Sequence, residues 1–174
     1  RITALSLFVF SLGLTRSEAF LDVLKKGDEK RVQNASELST QESSAAAQLA
    51  KANGQRDAGR QKQARATYKS IVSNYPRTDA AAEAQFQFAK ILQSEGDGRK
   101  AFEEYEELIK NFRNTRNFNE AVQAQFEIAE SLRNTKKKGF LGIGAPVQPS
   151  QLVEMFETIS EVAPYTDYAP KSLL

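Results

Sequence analysis

Glu83–Phe112 reads EAQFQFAKILQSEGDGRKAFEEYEELIKNF. Phe86, Ala89, Ile91 and Leu92 mark one apolar stripe, and Ala101, Phe102, Tyr105, Leu108, Ile109 and Phe112 mark the next. Both follow the i, i+3, i+4, i+7 spacing of a helix with one buried face. Gly96 and Gly98 flank Asp97 between the stripes, and glycine takes positive φ without steric cost, so the pattern predicts a turn there. The product is a helix hairpin of about 31 to 34 residues, too small to bury its faces alone. Its neighbours should therefore repeat it.

They do. Aligned on a small residue, an aromatic and the apolar residues that follow, Ala64, Tyr68, Ile71 and Val72 match Ala101, Tyr105, Leu108 and Ile109. A third set is Leu152, Phe156 and Ile159, so the aromatic recurs after 37 residues and then after 51. The helices that precede these also align. Ala84-Gln85-Phe86-Gln87-Phe88-Ala89 matches Ala124-Gln125-Phe126-Glu127-Ile128-Ala129 at an offset of 40, and Leu49-Ala50-Lys51-Ala52 is a smaller version. Alanines let helices approach closely, the aromatic fills the gap between hairpins, and proline ends the second helix. Tyr75-Pro76 and Val162-Ala163-Pro164 supply that stop.

A small residue, an aromatic four later and a proline eight after that resembles the tetratricopeptide repeat. Gly96-Asp97 sits where that family places its turn, and Gly59-Arg60 holds the equivalent place one unit earlier. The resemblance covers Ala45 to Leu174 and is fullest in the second unit. It implies an all-α solenoid of helix hairpins wound as a right-handed superhelix, with about three repeats and the start of a fourth. The expected units are 45–78, 82–115 and 120–164, the last interrupted by an insertion at 136–149. The loops Arg77-Thr78-Asp79 and Arg113 to Asn119 are longer than the consensus, as in envelope proteins that resemble the outer-membrane assembly lipoprotein BamD. Tyr75-Pro76-Arg77-Thr78-Asp79-Ala80 and its echo Pro164-Tyr165-Thr166-Asp167-Tyr168-Ala169-Pro170 look like that family's repeat junctions. Pro170 would fall in the first turn of a following helix. The lipid-bearing cysteine of that family is missing.

The insertion, KKKGFLGIGAPVQP, places three lysines before an apolar, glycine-rich segment, and Ser150 is the expected N-cap of the helix that follows. Its Gly-x-Gly has no preceding strand and no following Gly-Lys-Ser/Thr, so it is not read as a phosphate loop. Lys137, Lys138, Phe140, Leu141 and Ile143 are candidate partner-binding residues, presented to a protein or a membrane surface or packed back on their own repeat. Gln85, Gln87, Gln123 and Gln125 recur on the first helices, which line the concave groove of a superhelix. Gln85 and Gln125 are therefore the candidates for hydrogen-bonding an extended peptide. Glu103, Glu104, Glu106 and Glu107 alternate with core residues and read as the solvated side of a helix rather than as paired catalytic acids.

Composition narrows the function. The chain has 174 residues, with Lys+Arg 24 against Asp+Glu 22, and its charges are interleaved, so it lacks the concentrated basic face that nucleic-acid binding by counterion release requires. It has no cysteine, hence no disulfide, thiolate metal site or thioether anchor is expected within this stretch. It has no histidine, the commonest general base and metal ligand. No residue set assembles a nucleophile, a base and an oxyanion donor, so neither an enzyme nor a cofactor or metal site is expected.

Ile2 to Leu14 is apolar, follows Arg1 and has the length of a signal-peptide core; Ser17-Glu18-Ala19 offers a cut after Ala19. The expected organisation is a signal peptide at 1–19, a polar linker or weak helix at 20–44, and repeats from 45. With no initiator Met, and with Ser172-Leu173-Leu174 opening a new apolar run, the chain is expected to be the N-terminal part of a longer protein. The function expected is a non-enzymatic periplasmic scaffold that binds outer-membrane assembly factors or their clients, peripheral to the membrane. The alternatives are a coordinator of the Tol-Pal type, whose coiled coil is not matched by heptads in Ala35 to Ala64, and a helical accessory domain of a peptidoglycan-acting enzyme.

Overall fold

The computed structural model describes residues 11–137 and 147–164, with side chains at 25–26, 31–134 and 147–164. Six helices follow one another, α1 (Ser11–Asp57), α2 (Gln61–Asn74), α3 (Asp79–Ser94), α4 (Gly98–Asn111), α5 (Phe118–Lys137) and α6 (Pro149–Val162). No strand occurs among the described residues. The fold is an all-α solenoid of helical repeats, in which α2 packs on α3, α3 on α4, α4 on α5 and α5 on α6.

The chain divides into two compact units, Arg1–Gln41 and Glu42–Leu174. In the first, residues expected as a polar linker or weak helix are helical, part of the 47-residue α1. Residues 20–41 contain no proline, and their Leu, Lys, Arg, Glu and Gln favour a helix, so nothing in them breaks one except Gly27. All side chains from Arg31 to Gln41 are exposed, including Val32 at 68% and Leu38 at 46%.

In the second unit the repeat is visible in backbone geometry. The helices α2, α4 and α6 are each 14 residues long. They end on Tyr75, Phe112 and Ala163, whose φ/ψ values (−132/50, −131/57 and −136/54) nearly coincide. Each of these residues donates its N–H to the carbonyl four residues back, on Ile71, Leu108 and Ile159. The aligned aromatics Tyr68, Tyr105 and Phe156 are all buried, as are Ala64, Ala101 and Leu152 before them. Phe86 meets Tyr105 with ring centroids 5.8 Å apart, and Phe126 meets Phe156 at 6.1 Å, the same pair in successive hairpins. Ala52, Ala89 and Ala129 are each fully buried where the first helix of a hairpin meets its neighbours.

Three details depart from the sequence reading. The run Phe86 to Leu92 was expected to bury one face, yet α3 buries Ala80, Ala81, Ala82, Ala84, Gln85, Phe86, Phe88, Ala89, Ile91 and Leu92. It lies between α2 and α4 and so has two covered faces. Of the two glycines in the turn, Gly96 alone has positive φ (+84), matched one unit earlier by Gly59 (+73). Gly98 starts α4, where a Cβ would stand 3.4 Å from Ile128 Cγ2. The N-cap of α6 is Gln148 rather than Ser150: Pro149 takes the first helical position, and Gln151 Oε1 accepts from the Gln148 N–H at 3.1 Å.

Candidate functional site

The first helices of the hairpins carry a polar ladder on their uncovered side. Arg56 on α1 donates to Gln87 Oε1 on α3 at 2.9 Å, and Gln87 Nε2 donates to Glu83 Oε1 at 2.8 Å. Glu83 Oε2 in turn accepts from Arg116 (2.7 Å) and Asn117 (2.9 Å) in the loop between α4 and α5. Further along, Lys90 on α3 pairs with Glu120 on α5 at 3.0 Å. Glu83 is the hub. Burial alone would raise its pKa, but hydrogen bonds from Arg116, Asn117 and Gln87 outweigh that and hold the carboxyl below the usual glutamate range.

At one end of this ladder lies a groove of about 600 Å³. Ala46 and Leu49 of α1 and Ala80 and Ala82 of α3 form its apolar part; Asn111 to Arg116 form the opposite wall, and Glu42, Asp79 and Glu83 complete the lining. Local chemistry fixes these walls. Thr78 caps α3, accepting from Ala81 N–H at 3.1 Å while donating to the Tyr75 carbonyl at 2.8 Å. Glu42 reaches across from α1 and accepts the N–H groups of Asp79 (2.9 Å) and Ala80 (3.1 Å), placing a negative charge at the positive end of α3. Small residues let a backbone approach α3 closely, and Arg113, Asn114 and Thr115 supply donors around it. The volume is within the range of about 300–1,000 Å³ typical of ligand sites. Its lining includes no histidine or cysteine.

The glutamine candidates separate by face. Gln85 is buried and donates to both the main-chain carbonyl and the carboxylate of Glu104. Gln125 is wholly buried, donating to the Phe102 carbonyl at 3.2 Å, with its Oε1 unpartnered. Both lie in packed layers against α4, so the expectation that they face a groove is corrected. Gln87, two positions after Gln85 and half-buried, and Gln123, two positions before Gln125 and exposed, each lie about 200° around the helix from those buried residues. Glu104 is likewise half-buried rather than solvated. Burial raises its pKa, partly offset by the Gln85 hydrogen bond. Lys138, Phe140, Leu141 and Ile143 lie outside the described residues, and Lys137 ends α5. The groove wall from Asn111 to Arg116 was legible only as a loop of unusual length, and Glu42 and Glu83 carried no signal of their own.

Among the described residues, no group of three or more His, Cys, Asp or Glu is placed to hold a metal ion, and no helix is long and apolar enough to cross a membrane. Residues 46–78 match the sequence model of the tetratricopeptide repeat family. The chain carries a tetratricopeptide repeat. The match spans the end of α1, α2 and the connection to α3, one unit ahead of the hairpin whose sequence pattern is fullest. No curated protein matches the chain. Tetratricopeptide repeats are protein-interaction modules and generally non-enzymatic, so the partners to be sought are proteins.

Proposed function

We propose that the chain is a non-enzymatic scaffold of the cell envelope that holds an extended stretch of a partner polypeptide, working in outer-membrane protein assembly. The observation that carries the binding half is the groove between α1, α3 and Asn111–Arg116, with its alanine-lined floor and donor-rich wall. The envelope half rests on the apolar leader and on the likeness of the junctions after Tyr75 and Pro164 to the BamD-like family. Lys137, Lys138, Phe140, Leu141 and Ile143 belong to the same proposal as a second contact for a partner or a membrane surface.

A photoreactive residue at Asn114, irradiated in intact cells and read by mass spectrometry, tests both halves. Crosslinks to outer-membrane proteins in transit or to their assembly factors are the expected result. Crosslinks confined to cytoplasmic proteins would sink the envelope assignment, and no crosslink from Asn114 beside strong ones from Phe140 would move binding from the groove to the insertion. The second reading, a Tol-Pal-type coordinator, is favoured by the helical stretch of α1 that precedes residue 45 and the repeats. A trimeric mass in sedimentation equilibrium would support that reading, and a monomeric mass would remove it.

A further inference from the structure

A second recess lies between α4 and α6 and shares no lining residue with the groove beside α1 and α3. It has a volume of about 250 Å³. Its floor is apolar, made by Phe102 and Met155 with Val147, all buried. Its rim carries the carboxylates of Glu103, Glu106 and Glu154 against one cation, Arg99. Glu106 is already paired with Lys110, which leaves Glu103 and Glu154 as the carboxylates that set the sign of the rim beside Arg99.

We propose that this cleft docks a cationic segment of a partner polypeptide, one lysine or arginine seated beside an apolar residue. Size selects the occupant: the cleft is smaller than the roughly 300–1,000 Å³ of sites that enclose small molecules, and it suits side chains of a chain lying across it. Charge selects among chains. An acidic segment would face Glu103 and Glu154, whereas the stem of a lysine or arginine lies on Phe102 and Met155 while its head reaches Glu103 or Glu154. A free metal ion is a poor fit, because the rim carboxylates stand around an apolar floor and do not converge among the described residues. This site has no residue in common with the groove beside α1 and α3.

The test uses the whole 174-residue chain and a fluorescein-labelled peptide of alternating lysine and leucine, read by anisotropy at low salt. The basic peptide is expected to bind, to weaken as salt rises from about 50 to 500 mM, and to lose about tenfold in affinity with Glu103→Gln/Glu154→Gln. The same peptide with glutamate for lysine should not bind. Both substituted positions are exposed, and circular dichroism checks that the double variant stays folded. Equal binding of the two peptides, or full affinity in the double variant, overturns the proposal. So does a photocrosslinker at Thr158 that captures only residues 136–146 of its own chain or a second copy of it. An Asn114→Trp substitution in the other groove should leave the affinity unchanged; a parallel loss there would place the peptide in that groove instead.

Discussion

The second and third hairpins differ in the connection between their helices and agree in almost everything else. In the second, Glu95 to Asp97 joins α3 to α4 through Gly96 at φ +84. In the third, the stretch between Lys137 and Pro149 joins α5 to α6, and the aromatic repeat lengthens from 37 to 51 residues. Yet α4 and α6 have the same length, the same terminal backbone geometry and the same aromatic contact to the helix before them. The repeat is therefore held by the buried stripe of the second helix and its cap. The turn tolerates insertion because it contributes little of the packed area, and lengthening a loop costs only about 0.6 kcal/mol per doubling.

That comparison is broken most directly at the two aromatics. Tyr105→Ala should cost about 4 kcal/mol and Phe156→Ala about 3 kcal/mol in urea denaturation. Tyr105 is the more buried, at 1% exposure against 9%, and it also donates to Gln93 at 3.0 Å. A larger loss at Phe156 would show that the third hairpin is not a looser copy of the second but the tighter one.

The glycines sharpen the point about the turn. Gly96→Ala puts a Cβ into a left-handed conformation in open space and should cost about 1 kcal/mol. Gly98→Ala sits in ordinary helical backbone, against Ile128 and Leu132, and should fall within about 0.5 kcal/mol of zero. Equal losses at both would mean that the close approach to α5, not the turn, is the constraint.

The smallest effects lie in two glutamates one hairpin helix apart. The carboxyl of Glu83 is held below the ordinary glutamate range in the fold, so its contribution is present above the unfolded-chain value and lost as pH falls through the lower folded value. Glu104 is raised, so its contribution is present below the unfolded-chain value and lost as pH rises through the higher folded value. At pH 7, Glu83→Gln should destabilise and Glu104→Gln should stabilise, each by less than about 1 kcal/mol. Thermal melts between pH 3 and pH 7 check this: Glu83→Gln should flatten the acid-side loss of Tm, and Glu104→Gln should gain nothing at low pH. The same sign for both variants at pH 7 would refute the difference in their surroundings.

Much of the fold was legible before any coordinate, because helix periodicity and a repeated aromatic are local signals. Tyr68, Tyr105 and Phe156 fell into register from spacing alone, and Gly59 and Gly96 marked their turns because positive φ demands little else of the sequence. The site was less legible. Gln85 and Gln87 are indistinguishable as letters, two positions apart on a helix thought to have one covered face. Once α3 lies between α2 and α4, one is buried and the other belongs to the polar ladder.

The sequence by itself determined that the fold is all-α, that its hairpins repeat, and where three of its second helices end, since propensity, periodicity and stop residues act within a few turns. Only the tertiary structure decided which faces remain open. Glu42 meets the start of α3 across 37 residues of chain, and Glu83 meets Arg116 across 33. Contacts of that separation depend on how hairpins stack, and stacking is a property of many packed side chains at once rather than of any short run of sequence.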